Sequence, residues 1–235
     1  MSYQSQNRIF LFWTGDNAMS CQRRRCLDSF YANSSSNVVL ITTHNLSRWI
    51  VSALHPAYPY LSFTHRSDYL RCYFMHHYGG GYSDIKYCSF DWSPYFRQFW
   101  LSGNNIYMSG YRESKAQDIA SSSINIRLDY RSLPGMGHFI FKPYTPITFD
   151  WFSGVHSFLD GLLGDLISHP GTYHPRAVLG GVHGRDFLPK IRHCSSRYPL
   201  QWNDLLGQIL HPISFKYQEN LSLSMPSVDT IIGYR

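Results

Sequence analysis

The sequence predicts an α/β fold in which a mixed, mostly parallel central sheet is flanked by helices. Two short apolar runs, Arg8 to Trp13 and Val38 to Thr42, are typical of buried strands. A stretch with helical spacing follows each run, and this alternation of strand and helix favours a parallel sheet. Aromatic residues make up 17% of the chain and charged residues only 15%, which is a globular composition. The 235 residues suffice for one domain, or for one domain with a C-terminal extension.

The helices of the first half are predicted from local signals. Ser20 can cap a helix that runs from Cys21 to about Tyr31, and Asn45 to Leu54 predicts a short helix. A third helix begins near Thr64, with apolar residues at helical spacing. It ends at Gly79 to Gly81, because glycine adopts left-handed backbone angles at little cost.

The second half predicts further extended segments and a long helix. A strand is expected at Asn105 to Gly110 and a short strand or a turn at Phe139 to Pro143, separated by a polar loop from Ser114 to Ser123. Thr148 is the predicted cap of a helix from Phe149 to Ser168, whose apolar residues repeat with core-like spacing.

Four charged residues stand out in the segment Thr64 to Lys86. Asp68 and Arg71 are three residues apart on the predicted helix and therefore lie side by side. Asp84 and Lys86 lie at the end of a short extended run beyond the glycines. Ligands of parallel sheets bind beyond the carboxyl ends of the strands, so we expect these four side chains to face one cleft.

The order of these residues resembles a known motif. The sequence SDYLR, followed by YGGGYSDIK, resembles the sugar-nucleotide motif of DXD-type glycosyltransferases with the GT-A fold. Relatives of this type include the yeast initiating mannosyltransferases, the large clostridial glucosylating toxins, capsule-synthesis transferases and glycosyltransferases of large algal viruses. Agreement at several polar and glycine positions with fixed spacing is more specific than a lone glycine-rich turn. The matching residues are Ser67, Asp68, Arg71, Gly80, Tyr82 and Asp84.

The resemblance implies a GT-A-like single domain that spans residues 1–235. Residues 8–110 would form the nucleotide-sugar-binding half, and residues 111–235 the acceptor side with a C-terminal closing segment. In the family, a tryptophan directly after the first strand stacks on the uracil of UDP, and Trp13 occupies that position. Thr14 and Gly15 continue the same turn and are expected to bind the substrate with it.

The resemblance also implies roles for the motif residues. Asp84 matches the first acid of the DXD motif, which contacts the ribose and the metal shell. Asp68 and Arg71 match residues that hold the hydroxyls of the donor sugar, and Arg71 adds positive charge near the phosphates. Tyr82 belongs to the same substrate-binding set. Asp84 and Lys86 are therefore the expected catalytic residues.

The chain departs from the family at Lys86, where the motif has a second Asp that binds the metal. One interpretation is that Asp84 still holds Mn²⁺ or Mg²⁺ with the phosphates and another residue, since these ions prefer oxygen ligands. C-terminal residues can complete such a site in the family, and His211 is the candidate substrate and metal ligand here. The other interpretation is that Lys86 supplies the positive charge and the metal is dispensable. The intact remainder of the motif favours the first.

The expected activity is transfer of a sugar from a UDP-sugar donor to a glycan or glycoprotein acceptor. An inverting enzyme would also need a carboxylate base, for which Asp118, Asp150 and Asp186 are equal candidates. The alternative is a catalytically lapsed nucleotide- or glycan-binding module, which Lys86 favours. Nucleic acid is not an expected partner: the net charge is +6, but the only tight basic run, Arg23 to Arg25, is typical of a solvated helix face.

The cysteine pattern and the hydropathy indicate the compartment. Five cysteines without a CxxC pair favour free thiols in a reducing environment over a disulfide framework. The sequence shows no signal peptide and no apolar run of the roughly 18 residues needed to span a membrane. We therefore expect a soluble protein of the cytoplasm, or of the host cytoplasm if it is viral.

Overall fold

The structure is a computed structural model that describes residues 7–121, 123–171 and 197–227. Its strands are β1 (Arg8–Trp13), β2 (Asn37–Thr42), β3 (Gly80–Ser83), β4 (Met108–Arg112), β5 (Pro134–Phe141) and β6 (Leu221–Ser222). Its α-helices are α1 (Cys21–Asn33), α2 (Phe63–His77), α3 (Ser93–Leu101), α4 (Ile124–Leu128), α5 (Pro146–Ser168) and α6 (Gly207–Lys216). None of the helices in these ranges combines the length and apolar character that crossing a bilayer requires.

The six strands form one mixed sheet with the order β2-β1-β3-β5-β4-β6. The pairs β1–β2, β1–β3 and β4–β6 are parallel, whereas β3–β5 and β4–β5 are antiparallel. Strands from both halves of the chain therefore share one sheet. The predicted single-domain α/β fold, with a mixed and mostly parallel sheet flanked by helices, is confirmed.

Helices cover both faces of the sheet. Alternate residues of a strand point to opposite faces, so Phe10 joins the core beneath α2, α5 and α6, while Ile9 joins the core beneath α1 and α3. In strand β5, likewise, Phe139 belongs to the first of these cores and Ile140 to the second. Each fully buried large apolar side chain stabilises the fold by about 2 kcal/mol, so both layers hold the sheet in place.

The helix α2 forms for the reasons that the sequence suggests. Its N-cap is Ser62, and Leu70 and Phe74 on its apolar face are buried as predicted. Gly79 and Gly80 follow it with φ angles of 62° and 79°, which confirms the predicted glycine stop. A Cβ on Gly79 would also lie 2.7 Å from a backbone oxygen of β5, so this turn admits only glycine.

The predicted helix at Asn45 to Leu54 is wrong, because only one 3-10 turn forms there, at Leu46–Trp49. The side chain of Asn45 bonds twice to the backbone of β2, and such local bonds compete with helix formation. Beyond the turn, the backbone amides of residues 51 and 52 donate to the hydroxyl of Tyr73 at 2.8 Å instead of to helical carbonyls.

The bounds of three elements in the second half also differ from the prediction. Strand β4 comprises Met108–Arg112 instead of Asn105 to Gly110. Helix α5 begins at Pro146 with Thr145 as its N-cap, and Thr148 is the third helical residue, which completes a capping box. Strand β5 begins at Pro134, five residues before the predicted Phe139. Its first half contains two glycines and no apolar alternation, so the pattern was not visible in the sequence.

Candidate functional site

The ends of two neighbouring parallel strands define the candidate site. Ile9 of β1 is paired with Gly81 of β3, so the carboxyl ends of both strands lie at the same edge of the sheet. Trp13 ends β1 at this edge, and Asp84 directly follows β3. Adjacent strands are about 4.8 Å apart, so the two segments are neighbours at one edge of the sheet.

The turn after β1 is fastened to the start of α2. Thr14 is buried, and its hydroxyl donates to the carbonyl oxygen of Phe63 at 2.5 Å. A Cβ on Gly15 would lie 3.1 Å from the Phe63 ring and 2.4 Å from the side chain of Asn17, so the turn and the helix are in close contact. The half-buried indole of Trp13 donates to the Asn17 carbonyl at 2.8 Å. The turn is thus joined to the helix that carries Asp68.

Asp84 is the centre of a cluster of charged side chains from α2 and the end of β3. Its Oδ1 accepts from Nη2 of Arg71 at 3.0 Å and from the hydroxyl of Tyr82 at 2.6 Å. Its Oδ2 lies 3.2 Å from Nζ of Lys86. Arg71 also lies 3.4 Å from the carboxylate of Asp68, one turn earlier on α2. The four charged residues that the sequence singled out therefore meet in one place.

Contacts with aromatic rings and with the backbone attach this cluster to the sheet. The guanidinium of Arg71 lies 4.5 Å from the ring centroid of Tyr82, at cation–π distance. On the strand side, Tyr82 stacks on Phe12 of β1 with a centroid distance of 5.4 Å. Arg71 also donates to the carbonyl of Met136 on β5 at 3.2 Å. The guanidinium therefore contacts the strands β3 and β5 as well as Asp68 on its own helix.

The two carboxylates of the cluster have opposite pKa shifts. Burial raises the pKa of Asp68 to about 6, although the charge of Arg71 opposes the shift. Burial also acts to raise the pKa of Asp84, but Arg71, Lys86 and the Tyr82 hydroxyl outweigh it and hold that pKa below the ordinary value. Asp84 is thus a stable anion, whereas Asp68 is close to protonation near neutral pH.

The residues around Asp84, as they are arranged, do not fit a divalent cation. Both carboxylate oxygens already face donors, and the ammonium of Lys86 lies 3.2 Å from Oδ2, where a dication would have to share the oxygen with it. Two cations that share one carboxylate oxygen repel each other strongly at such distances. In the ranges described here, no three His, Cys, Asp or Glu side chains form a cluster able to bind a metal ion.

His211, the other predicted metal and substrate ligand, is buried within α6. Its Nδ1 accepts from the backbone amide of Ala120 at 3.1 Å, so that lone pair is already used. Burial lowers the pKa of His211 to about 4, and the carbonyl of Pro134 only partly opposes the shift. No described hydrogen bond or ion pair connects His211 to Asp84, and the structure gives His211 a packing role between α6 and the loop before α4.

The three candidate bases have different positions. Asp118 ends a short 3-10 turn between β4 and α4. Asp150 is bound by Lys216 at 2.7 Å and by the Tyr217 hydroxyl at 2.9 Å, and the bond from Lys216 is the main cause of its lowered pKa. It therefore joins α5 to α6. Asp186 lies outside the described residues.

Two further residues at the site were not identified from the sequence. Arg23 of α1 is half-buried and donates to the carbonyl of Ile85 at 2.7 Å, between Asp84 and Lys86. The expectation of a solvated face holds for Arg24 and Arg25 but not for Arg23, which shares its helical face with the buried Leu27. That spacing was the available signal.

The second missed residue is His138 of β5, the partner of Ser83 in the sheet. It is buried against Trp92 and Tyr111. Burial lowers its pKa to about 4, with smaller opposing effects of Asp84 and Lys86. No sequence pattern distinguishes it, because its position depends on the antiparallel pairing of β3 with β5.

Comparisons with known proteins show only a weak likeness in fold. No protein-family model matches the chain, and no curated protein matches it. Among solved structures, the chain is similar to one described as "PaToxG Glycosyltransferase", with 14% identity and a TM-score of 0.41. The match covers 68% of this chain and 64% of that chain, so it spans somewhat less than two thirds of the solved protein. A likeness of this size does not bear on activity, for which the site geometry is the basis.

Proposed function

We propose that the chain is a GT-A-like glycosyltransferase that transfers a sugar from a UDP-sugar to a glycan or glycoprotein acceptor. The observation that carries the proposal is the meeting of Asp68, Arg71, Asp84 and Lys86 at the strand edge that also bears Trp13. Asp68, Arg71 and Asp84 match the sugar-nucleotide motif, and Lys86 stands where the motif has its second acid. Trp13 lies more than 50 residues earlier in the sequence. An ordinary pair of charges on a helix would not gather the ends of two strands around it.

The chemistry needs positive charge where the diphosphate leaves. The bond between C1 of the sugar and the β-phosphate oxygen breaks, and its electron pair stays on UDP. An acceptor hydroxyl forms the new bond to C1, and its proton passes to the departing phosphate or to solvent. Fixed donors aimed at the developing charge stabilise such a transition state, and Arg71 and Lys86 are the cations in reach.

The remaining motif residues have roles in binding. Trp13 stacks on the uracil, with its indole held by Asn17. Asp68 accepts hydrogen bonds from the sugar hydroxyls, for which a buried carboxylate on a rigid helix is suited. Asp84 contacts the ribose and holds Arg71 and Lys86 in position.

A thermal-shift screen tests this proposal. The full chain is mixed with UDP, GDP, ADP or UDP-sugars, with and without Mn²⁺, and UDP release from each UDP-sugar is then measured. A ligand that binds only the folded state raises the melting temperature, so UDP and at least one UDP-sugar should do so and the other diphosphates should not. Equal shifts with all three diphosphates, or none with UDP, would contradict the proposal.

A second candidate function is a nucleotide- or glycan-binding module without catalysis. The bond between Lys86 and Asp84 favours it, because it occupies the carboxylate that the family uses for metal. Binding of UDP without release of UDP from any UDP-sugar, in the presence of acceptor glycans, would select this alternative.

A further inference from the structure

We propose that Lys86 replaces the divalent cation in this site, so that UDP binding and sugar transfer need no metal. The inference rests on the proposed function and extends it to the way in which the diphosphate is neutralised. The structure favours it over the interpretation in which Asp84 holds Mn²⁺ or Mg²⁺.

The first observation is that both oxygens of Asp84 already have partners. Its Oδ1 is bound by Arg71 and Tyr82, and its Oδ2 faces the ammonium of Lys86. A metal on Oδ2 would share that oxygen with the ammonium of Lys86, and the backbone of Lys86 is held as well. Its amide donates to the Asp84 carbonyl at 2.7 Å, and the Ile85 carbonyl between them accepts from Arg23.

The second observation is that the ammonium is placed to meet a ligand. The Lys86 side chain is 22% exposed and that of Asp84 is 17% exposed, whereas Asp68 is only 3% exposed. Lys86 is therefore the more exposed partner in its ion pair with Asp84. An ammonium forms charge-assisted hydrogen bonds with phosphate oxygens.

The third observation is the balance of charge. Among the residues that the structure describes, the cluster contains two carboxylates, Asp68 and Asp84, and two cations, Arg71 and Lys86. The two cations therefore balance the two carboxylates without a metal. In the family motif the second acid would add negative charge instead, and only a bound dication would offset it.

The test measures UDP affinity by titration calorimetry, in EDTA and in Mn²⁺. Wild-type affinity should agree within about twofold in the two conditions, and Lys86→Gln should lower it about tenfold in both, as expected for one charge-assisted hydrogen bond. Lys86→Arg should retain metal-free binding because it keeps the positive charge. Lys86→Asp restores the second acid of the motif and should bind UDP only with Mn²⁺.

A matched control is Lys115→Asp, which makes the same charge change at an exposed lysine in the loop after β4 and should leave UDP affinity unchanged. Wild-type binding that is lost in EDTA and recovered with Mn²⁺ would overturn the inference while leaving the proposed function intact. Unchanged affinity of Lys86→Gln would overturn it too. If wild-type protein binds no UDP in either condition, the proposed function fails and the inference with it.

Discussion

Asp84 shows how much of this site depends on one side chain. A buried carboxylate is costly unless its partners compensate, and here two cations and a phenol do so. The low pKa of Asp84 is the result of that compensation, which exceeds the effect of burial. The same contacts fix Arg71 and Lys86, so a change at Asp84 disturbs both cations at once.

Replacement Asp84→Asn should reduce sugar turnover about 100-fold or more, because the amide no longer balances Arg71 and Lys86 and the site loses its preorganisation. Initial rates of UDP release from the active UDP-sugar measure this effect. Asp165→Asn, at an exposed acid of α5, is the matched control and should retain wild-type rates. Unchanged turnover of Asp84→Asn would refute the assigned role.

Replacement Trp13→Ala should lower UDP affinity about tenfold, since loss of one base-stacking aromatic costs about 1–3 kcal/mol. Trp13→Phe should retain much of the affinity because a smaller ring can still stack. Titration with UDP and with uridine separates the contribution of the base from that of the phosphates. Because both ligands contain the uracil, the affinity for both should fall. Unchanged affinity for both ligands would show that the uracil does not stack on Trp13.

At the scale of elements, helix α1 holds the loop that carries Lys86 through hydrogen bonds. Besides the bond from Arg23 to Ile85, the hydroxyl of Ser29 accepts from the Cys88 amide at 2.8 Å. Asn33, at the end of the helix, donates to the Cys88 carbonyl at 2.7 Å. The loop after β3 is thereby attached to α1 at three points along the helix, while Arg71 attaches its first residue to α2.

Replacement Arg23→Gln should loosen this loop without unfolding the chain. A hydrogen bond from a charged group contributes about 1.5–3 kcal/mol, so the amides of Lys86 and Cys88 should exchange their hydrogens about tenfold faster or more. Arg24→Gln removes the same charge from an exposed neighbour on α1 and serves as the control. Equal exchange rates in both variants would show that Arg23 does not hold the loop.

The success of prediction from sequence also differs between elements. β1 and α2 were predicted because their apolar patterns are local and their ends carry glycines or turn residues. The start of β5 was missed because it becomes a strand only through pairing with β3 and β4. Arg71 and Asp84 were predicted as neighbours from a motif, whereas His138 depends on a long-range pairing that no local pattern encodes.

At the scale of the whole molecule, four buried histidines have similarly lowered pKa values. They lie in α2, β5 and α6, and burial lowers the pKa of each to about 4 from an ordinary 6.5. The four are His65, His76, His138 and His211. All are therefore neutral in the folded protein near pH 5, whereas the unfolded chain would protonate them. Folding is linked to pH through this difference.

Stability should therefore be highest above about pH 6.5 and fall as the pH decreases toward 4, by about 1 kcal/mol or more per pH unit. Asp68 and Asp204 oppose this trend, because burial raises the pKa of both carboxyls, that of Asp68 to about 6, and this adds stability as the pH falls. Four histidines outweigh two carboxyls, so stability still decreases as the pH falls. Denaturant unfolding at pH 7.5 and pH 5 measures it.

The contribution of one histidine can be isolated. His76 lies against Phe152 and His77, and no acidic side chain of the described residues is among the causes of its pKa shift. His76→Gln should make the free energy of unfolding less dependent on pH, while His44→Gln, at an exposed position, should not. A wild-type protein equally stable at pH 7.5 and pH 5 would contradict the assignment of these histidines as neutral.

The most direct test of the central claim is a crystal structure of the chain with UDP. We expect the uracil ring stacked on Trp13 and the diphosphate within hydrogen-bond distance of Lys86, in a single cleft between the ends of β1 and β3. Electron density for UDP at any other place, or a diphosphate directed away from Lys86, would contradict the account.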